Sequence, residues 1–168
     1  MRRLIHYSKT PLTKVRSTRH NDQSVGAYKT PGLWISVEGD DDWLNWCKGE
    51  NWNLDSIVHA TEIVLSKEAD VRTIGGASQL DAFTAEFSLK NVLAWDRGLD
   101  WPAIRSRWQG LIIAPYCWER RLSQHTHWYY GWDCASGVIW DAKAVKEVRA
   151  IEPPDLTEKY EETIGERI

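Results

Sequence analysis

Leu4-Ile5-His6-Tyr7-Ser8 predicts a β-strand near the start of the chain, and the fold is inferred outward from this stretch. A second strand is predicted at Gly32-Leu33-Trp34-Ile35-Ser36, directly after the turn signal of Pro31. A third stretch of the same kind, Ser136-Gly137-Val138-Ile139-Trp140-Asp141, stands near the other end. Each combines an apolar strand with polar or aromatic side chains, so each could face a ligand.

The remaining pattern is one of many short strands and few short helices. Strands are predicted at 3–8, 33–37, 57–65, 71–74, 111–114, 138–140 and 144–151. Helices are predicted after the acidic run 40–42, with Trp43 and Trp46 on one face, at 79–87 with Ser78 as N-cap, and from Trp101-Pro102. Strands and helices do not alternate regularly, and both glycine-rich phosphate-binding motifs are missing. We therefore expect an α+β fold in which two small sheets form a cleft.

Length and composition set the expected organisation and compartment. A chain of 168 residues suffices for one core, so we expect one domain over residues 1–152 and an acidic C-terminal tail over 153–168. The sequence has no apolar run long enough for a membrane span and no secretory pattern. Three cysteines without a CxxC pair favour a reducing, cytoplasmic setting. A net charge of -3 disfavours a general nucleic-acid binder.

The first two stretches carry a resemblance to a known family. His6-Tyr7-Ser8 and Gly32–Ser36 resemble two strands of the small histidine-type ADP-ribosyltransferases, the diphtheria-toxin/PARP-like family. The resemblance implies an ADP-ribosyltransferase-like fold, with split mixed or antiparallel sheets and short flanking helices around an NAD cleft. It implies a toxin-like or anti-defence enzyme that uses NAD+ as substrate to modify a macromolecular acceptor, protein or nucleic acid. An inhibitory protein partner fits this class, and neither a metal nor a membrane is expected.

The resemblance also implies roles for five residues. His6 is expected to donate a hydrogen bond to the adenosine-side ribose and to belong to both the catalytic and the NAD+-binding set. Tyr7 and Ser8 are expected to contact NAD+, Trp34 to provide a stacking wall, and Ser36 to provide a supporting hydroxyl. Cleavage of the nicotinamide glycosidic bond needs such a rigid site, because positive charge develops on the ribose in the transition state.

Ser136 stands where the family has its catalytic glutamate. A serine carries no negative charge to stabilise an oxocarbenium-like ribose. We therefore expect Asp133 or Glu119 to replace the glutamate, with Ser136 kept in the candidate catalytic set.

The segment 116–132 is expected to recognise the acceptor, as the segment before the last catalytic strand does in the family. Arginines among aromatic rings suit a nucleotide base or a phosphorylated partner. The candidate recognition residues are Arg120, Arg121, Trp128, Tyr129 and Tyr130.

Other functions remain open on the residues alone. One is a non-catalytic module of the same fold that binds a nucleotide or a partner. Another is a hydrolase with Cys134 as nucleophile and His125 or His127 as base. The His125-Thr126-His127 stretch lacks a recognised spacing to further metal ligands. The eleven tryptophans also suit a groove for a carbohydrate or a peptide.

Overall fold

The computed structural model describes residues 2–19, 28–89 and 98–156. The strands are β1 (Leu4–Ser8), β2 (Leu33–Val37), β3 (His59–Leu65), β4 (Val71–Ile74), β5 (Gly110–Ile113), β6 (Ser136–Ile139) and β7 (Val145–Ile151). The α-helices are α1 (Trp43–Glu50), α2 (Ala77–Phe87) and α3 (Trp101–Arg107). Short 3-10 helices lie at Leu54–Ser56, Trp118–Arg120, Gln124–Gly131 and Ala142–Ala144. The predicted α+β class is confirmed.

The seven strands found in the described residues belong to one sheet, in the order β4-β5-β6-β2-β1-β3-β7. Within these strands, β4 and β5 run parallel, and the other neighbouring pairs are antiparallel. The expectation of two separate sheets is therefore corrected, because β1 pairs with β2 on one side and with β3 on the other.

The sheet is nearly divided at the β1–β2 pair. Their ladder consists of two residue pairs, Leu4 with Val37 and Ile5 with Ser36. By contrast, β1 pairs with β3 over four residues, and β2 pairs with β6 over four. Beyond Ile5 the two strands part, so backbone and side chains at the start of β2 face an opening in the sheet.

The hydrophobic core lies where α2, α3 and the 124–131 segment pack on the sheet. Leu80, Phe83 and Phe87 recur at helical spacing on α2 and are buried, as the sequence pattern predicts. They pack with Leu111 and Val138 of the central strands, both fully buried. This core makes the β5-β6-β2 half of the sheet a rigid support for the opening.

Several local predictions are refined by the structure. Helix α2 begins at Ala77 with Gly76 as N-cap, so Ser78 lies inside the first turn and is not the cap. The segment 116–132, expected as a loop, contains two of the 3-10 helices. Of the expected tail, residues 153–156 have no regular structure and residues 157–168 lie outside the described part of the chain.

Among the described residues, no helix combines the length and the apolar character that crossing a membrane requires.

Candidate functional site

A cavity of about 280 Å³ lies at the parting of β1 and β2. β1 contributes Ile5, His6 and Tyr7, and β2 contributes Trp34 to Ser36. The remaining lining residues come from four further places in the chain: Lys29, Trp43, Asn53, and the stretch with Trp132, Asp133, Cys134 and Ser136. The three stretches singled out in the sequence thus meet around one cavity.

His6 bridges the gap where the β1–β2 ladder ends. Its Nδ1 lies 2.8 Å from the carbonyl oxygen of Trp34. A carbonyl oxygen only accepts hydrogen bonds, so Nδ1 carries a proton and donates it. In the neutral imidazole Nε2 is then an acceptor, which suits a ribose hydroxyl as its donor. The sequence predicts that His6 donates a hydrogen bond to the ligand. In its neutral form the ring instead accepts one through Nε2, because its single N–H is used on the Trp34 carbonyl.

Ser36 and Ser136 lie opposite each other on β2 and β6, and both are buried. The Ser36 Oγ accepts a hydrogen bond from the Trp43 N–H at 2.9 Å, which ties the start of α1 to the cavity. The Ser136 hydroxyl donates to the Cys134 carbonyl at 3.0 Å. Both hydroxyls therefore organise the backbone around the cavity.

Helix α1 begins at the cavity because Asp42 caps it. The Asp42 carboxylate accepts from the Asn45 N–H at 2.8 Å, the arrangement expected of an N-cap. Trp43 then lines the cavity, and Trp46 stacks on its ring with centroids 5.1 Å apart and planes 15° from parallel. The sequence spacing predicted that these two indoles share a helix face.

Two indoles and an ammonium group form a second wall. Trp34 packs edge-on against the buried ring of Trp132, with centroids 4.9 Å apart. The Lys29 Nζ lies 5.1 Å from the centre of the Trp34 ring, a cation–π geometry. Trp34 is therefore part of the cavity wall, and Lys29 already occupies a position over its ring.

Arg105 of α3 holds the chain just before β2. Its guanidinium donates to the Thr30 hydroxyl at 3.1 Å, to the Pro31 carbonyl at 2.8 Å and to Thr18, and it lies 5.4 Å from the centre of the Trp140 ring. Burial lowers the pKa of this guanidinium. These contacts with neutral oxygens fix the entry to β2, directly after Lys29.

Asp133 is the one carboxylate among the described residues that line the cavity. Its Oδ1 lies 3.6 Å from Nη2 of Arg121, and both side chains are about three-quarters buried. The Arg121 guanidinium also lies 5.9 Å from the ring centres of Trp118 and Tyr130. An acidic group inside the cavity is thus connected through an arginine to two half-exposed aromatic rings.

Burial keeps Tyr7 and Cys134 neutral. Desolvation raises the pKa of the Tyr7 hydroxyl to about 12, with a further contribution from the charge of Asp42. Desolvation likewise raises the pKa of the Cys134 thiol to about 12. A buried thiol that ionises so late is a poor nucleophile near neutral pH, which disfavours the hydrolase alternative.

Other predicted site residues lie apart from the cavity. Glu119 is exposed on the Trp118–Arg120 turn and does not line the cavity. Ser8 ends β1 and donates its hydroxyl to the Thr10 carbonyl at 2.7 Å. Arg120 forms a two-pronged pair with Asp81 of α2, with both N···O distances 2.7 Å.

The expected acceptor-recognition set divides by burial. Trp128 and Tyr129 are fully buried in the core, so their expected contact with an acceptor does not fit the structure. The Trp128 Nε1 donates to the Thr84 hydroxyl of α2 at 3.0 Å, and the Tyr129 hydroxyl accepts from the Cys117 N–H at 3.0 Å. Tyr130 is 50% exposed.

Lys29, Trp43 and Trp132 are cavity residues that the sequence analysis did not identify. Trp43 carried a partial signal, because the acidic cap and the Trp43–Trp46 spacing predicted its helix. Lys29 stands in a polar stretch without periodicity, and nothing local marks Trp132 as different from its aromatic neighbours.

The described residues contain no group of three or more His, Cys, Asp or Glu side chains that could hold a metal ion. Comparison of the chain with known family models, curated proteins and solved structures finds no match.

Proposed function

We propose that this protein binds NAD+ in the cavity and transfers ADP-ribose to a macromolecular acceptor. One observation carries the proposal: His6, Tyr7, Trp34 and Ser36 line one cavity where two strands part, together with the carboxylate of Asp133. A sheet that is almost divided at β1–β2 is compatible with an ADP-ribosyltransferase-like fold around an NAD cleft.

The charges in the cavity suit the parts of the proposed ligand. Lys29 is the one lysine or arginine among the described lining residues, so the diphosphate belongs beside it. Asp133 supplies the negative charge that a developing oxocarbenium ion requires. The Nε2 of His6 accepts from a ribose hydroxyl, and the indoles of Trp34 and Trp43 enclose the flat parts of the ligand.

The proposed reaction is one nucleophilic substitution at the ribose carbon that bears nicotinamide. The bond from that carbon to the pyridinium nitrogen breaks, and its electron pair leaves with nicotinamide, which becomes neutral. A nucleophilic atom of the acceptor forms the new bond to carbon and releases its proton to Asp133 and then to solvent. The cationic ring and the developing ribose charge are both favoured near a carboxylate.

The acceptor is proposed to approach over Arg121 and Tyr130. These residues connect the cavity carboxylate to the surface, and the Tyr130 ring is half exposed. An exposed ring beside a guanidinium suits a nucleobase or a phosphorylated side chain. The acceptor class stays that of the resemblance, a protein or a nucleic acid.

The proposal is tested by incubating the protein with labelled NAD+ and a cell lysate. Release of nicotinamide and label transfer to a macromolecule are measured together. Asp133→Asn should lower nicotinamide release by about 100-fold or more, as loss of a charge-stabilising group in an active site does. Glu119→Gln is the matched control and should stay close to the wild-type rate. Wild-type protein that neither binds nor cleaves NAD+ refutes the proposal.

A second candidate function is a non-catalytic nucleotide-binding module of the same fold. The observation in its favour is Ser136, which stands at the position of the family's glutamate. Its hydroxyl donates a hydrogen bond to the Cys134 carbonyl. This candidate predicts saturable NAD+ binding without nicotinamide release, in the wild-type protein and in Asp133→Asn alike.

A further inference from the structure

We infer that Trp52 is the stacking surface for the adenine ring of the bound dinucleotide, at the rim of the cavity. The inference rests on the proposed function and adds to it a base-binding position that lies outside the cavity. Trp52 is 52% exposed, whereas burying an indole is normally favourable. It is followed directly by Asn53, which lines the cavity.

The backbone around Trp52 is held in an uncommon conformation. Asn51 and Asn53, on either side of it, both lie in the left-handed region, with φ of 48° and 55°. Asparagine tolerates this region, and Asn51 adopts it as the C-cap of α1, so the two angles define a sharp turn that positions Trp52. The Trp52 N–H donates to the carbonyl oxygen of Cys47 at 3.0 Å, which anchors this turn to the end of α1.

The ring itself is held by two other indoles. Trp52 packs edge-on against Trp43 and Trp46, with centroids 5.8 and 5.6 Å apart. Trp43 lines the cavity, so the three rings form a continuous aromatic surface from its interior to its outside. A ring that is already immobilised loses little conformational freedom when a ligand stacks on it.

The size of the cavity indicates which part of the ligand needs this surface. Its volume of about 280 Å³ lies just below the roughly 300–1,000 Å³ of pockets that hold drug-sized ligands. A dinucleotide has two nucleosides joined by a diphosphate, so one end must extend outside. The reacting end requires exclusion of water and the Asp133 carboxylate, which leaves the adenine at the rim.

Calorimetric titration of Trp52→Ala with two ligands tests the inference. Loss of one base–aromatic stack should weaken NAD+ binding about tenfold. Affinity for nicotinamide mononucleotide, which lacks the adenosine half, should stay unchanged, and Trp52→Phe should retain most of the NAD+ affinity. Leu122→Ala is the control, because Leu122 is an apolar side chain that is 81% exposed and does not line the cavity. It should leave both affinities unchanged.

The outcomes separate this inference from the proposed function. If wild-type protein and Trp52→Ala bind NAD+ equally, or if the variant loses affinity for both ligands equally, the adenine position is wrong while NAD+ binding stands. If the wild-type protein binds neither ligand, the proposed function fails and the inference fails with it. A far-ultraviolet circular dichroism spectrum and a cooperative urea-unfolding transition like those of the wild-type protein exclude a folding defect in Trp52→Ala.

Discussion

Replacing His6 tests how one side chain serves both the sheet and the ligand. His6→Ala removes the 2.8 Å hydrogen bond from Nδ1 to the Trp34 carbonyl, at a place where the β1–β2 ladder has only two residue pairs. A hydrogen bond contributes about 1 kcal/mol net, and a partly buried carbonyl left without its donor adds to the loss. We therefore expect a destabilisation of about 1–2 kcal/mol. For a domain of this size that corresponds to a fall in Tm of about 2–8 °C.

His6→Asn separates the two roles. An asparagine amide places an N–H donor close to the position of Nδ1, so it should restore most of the stability, but it has no counterpart of Nε2. Thermal unfolding and NAD+ titration are measured on wild type, His6→Ala and His6→Asn. His125→Ala is the matched control, because His125 is exposed and does not line the cavity.

The expected pattern is specific. His6→Ala should lose both stability and NAD+ affinity, His6→Asn should lose only affinity, and His125→Ala should lose neither. An unchanged Tm for His6→Ala would show that the bond across the parting strands contributes nothing. Full NAD+ affinity in His6→Asn would show that Nε2 of His6 does not contribute to NAD+ binding.

Four further predictions concern residues outside the NAD+ site or buried beside it. Gly137→Ala should cost about 1–3 kcal/mol in urea unfolding, because its Cβ would lie 2.8 Å from a carbonyl oxygen of β5. Arg105→Ala should cost about 2 kcal/mol or more, since its neutral acceptors lose their donor, with Arg105→Lys intermediate. The Cys134 thiol, with its pKa raised to about 12, should resist iodoacetamide at pH 8 until the protein is unfolded, and rapid labelling would contradict its burial. Pairing with Arg120 lowers the pKa of the Asp81 carboxyl, so the ion pair stabilises the fold above the unfolded pKa of about 3.9, and this contribution is lost as pH falls below that value. The urea midpoint of Asp81→Asn should therefore depend less on pH in acid than that of the wild-type protein.

The local structure was accessible from the sequence, because its causes are local. The apolar stretch after the Pro31 turn predicts strand β2. The structure explains the glycine before it, because a Cβ on Gly32 would lie 2.5 Å from a Val138 methyl group where β2 approaches β6. Helix α1 was predicted from its acidic cap and its tryptophan spacing, and the Asp42 side chain confirms the cap. Each of these signals lies within a few residues of the element it specifies.

The arrangement of the strands was not accessible in the same way. Joining β1 to both β2 and β3 depends on pairing between residues far apart in sequence, and no local pattern specifies it. The 124–131 segment shows a second limit. Tyr129 is fully buried and Tyr130 is half exposed, although both are tyrosines in one aromatic run without clear periodicity. Burial of Tyr129 depends on its contacts with Tyr116 and Cys117, which lie 13 and 12 residues earlier in the chain.

The narrow β1–β2 join explains why the cavity and the fold share residues. Two strands that part leave backbone groups without ladder partners, and such groups must be satisfied in another way. The His6 ring donates to the Trp34 carbonyl, so a side chain replaces a missing ladder bond, and the Ser36 hydroxyl accepts from the Trp43 N–H at the start of α1. These polar groups are thereby fixed beside an open cavity. A ligand that enters it meets hydrogen-bonding groups already oriented by the sheet, which lowers the entropy cost of binding. Substitutions at His6 and Ser36 should consequently couple stability to affinity.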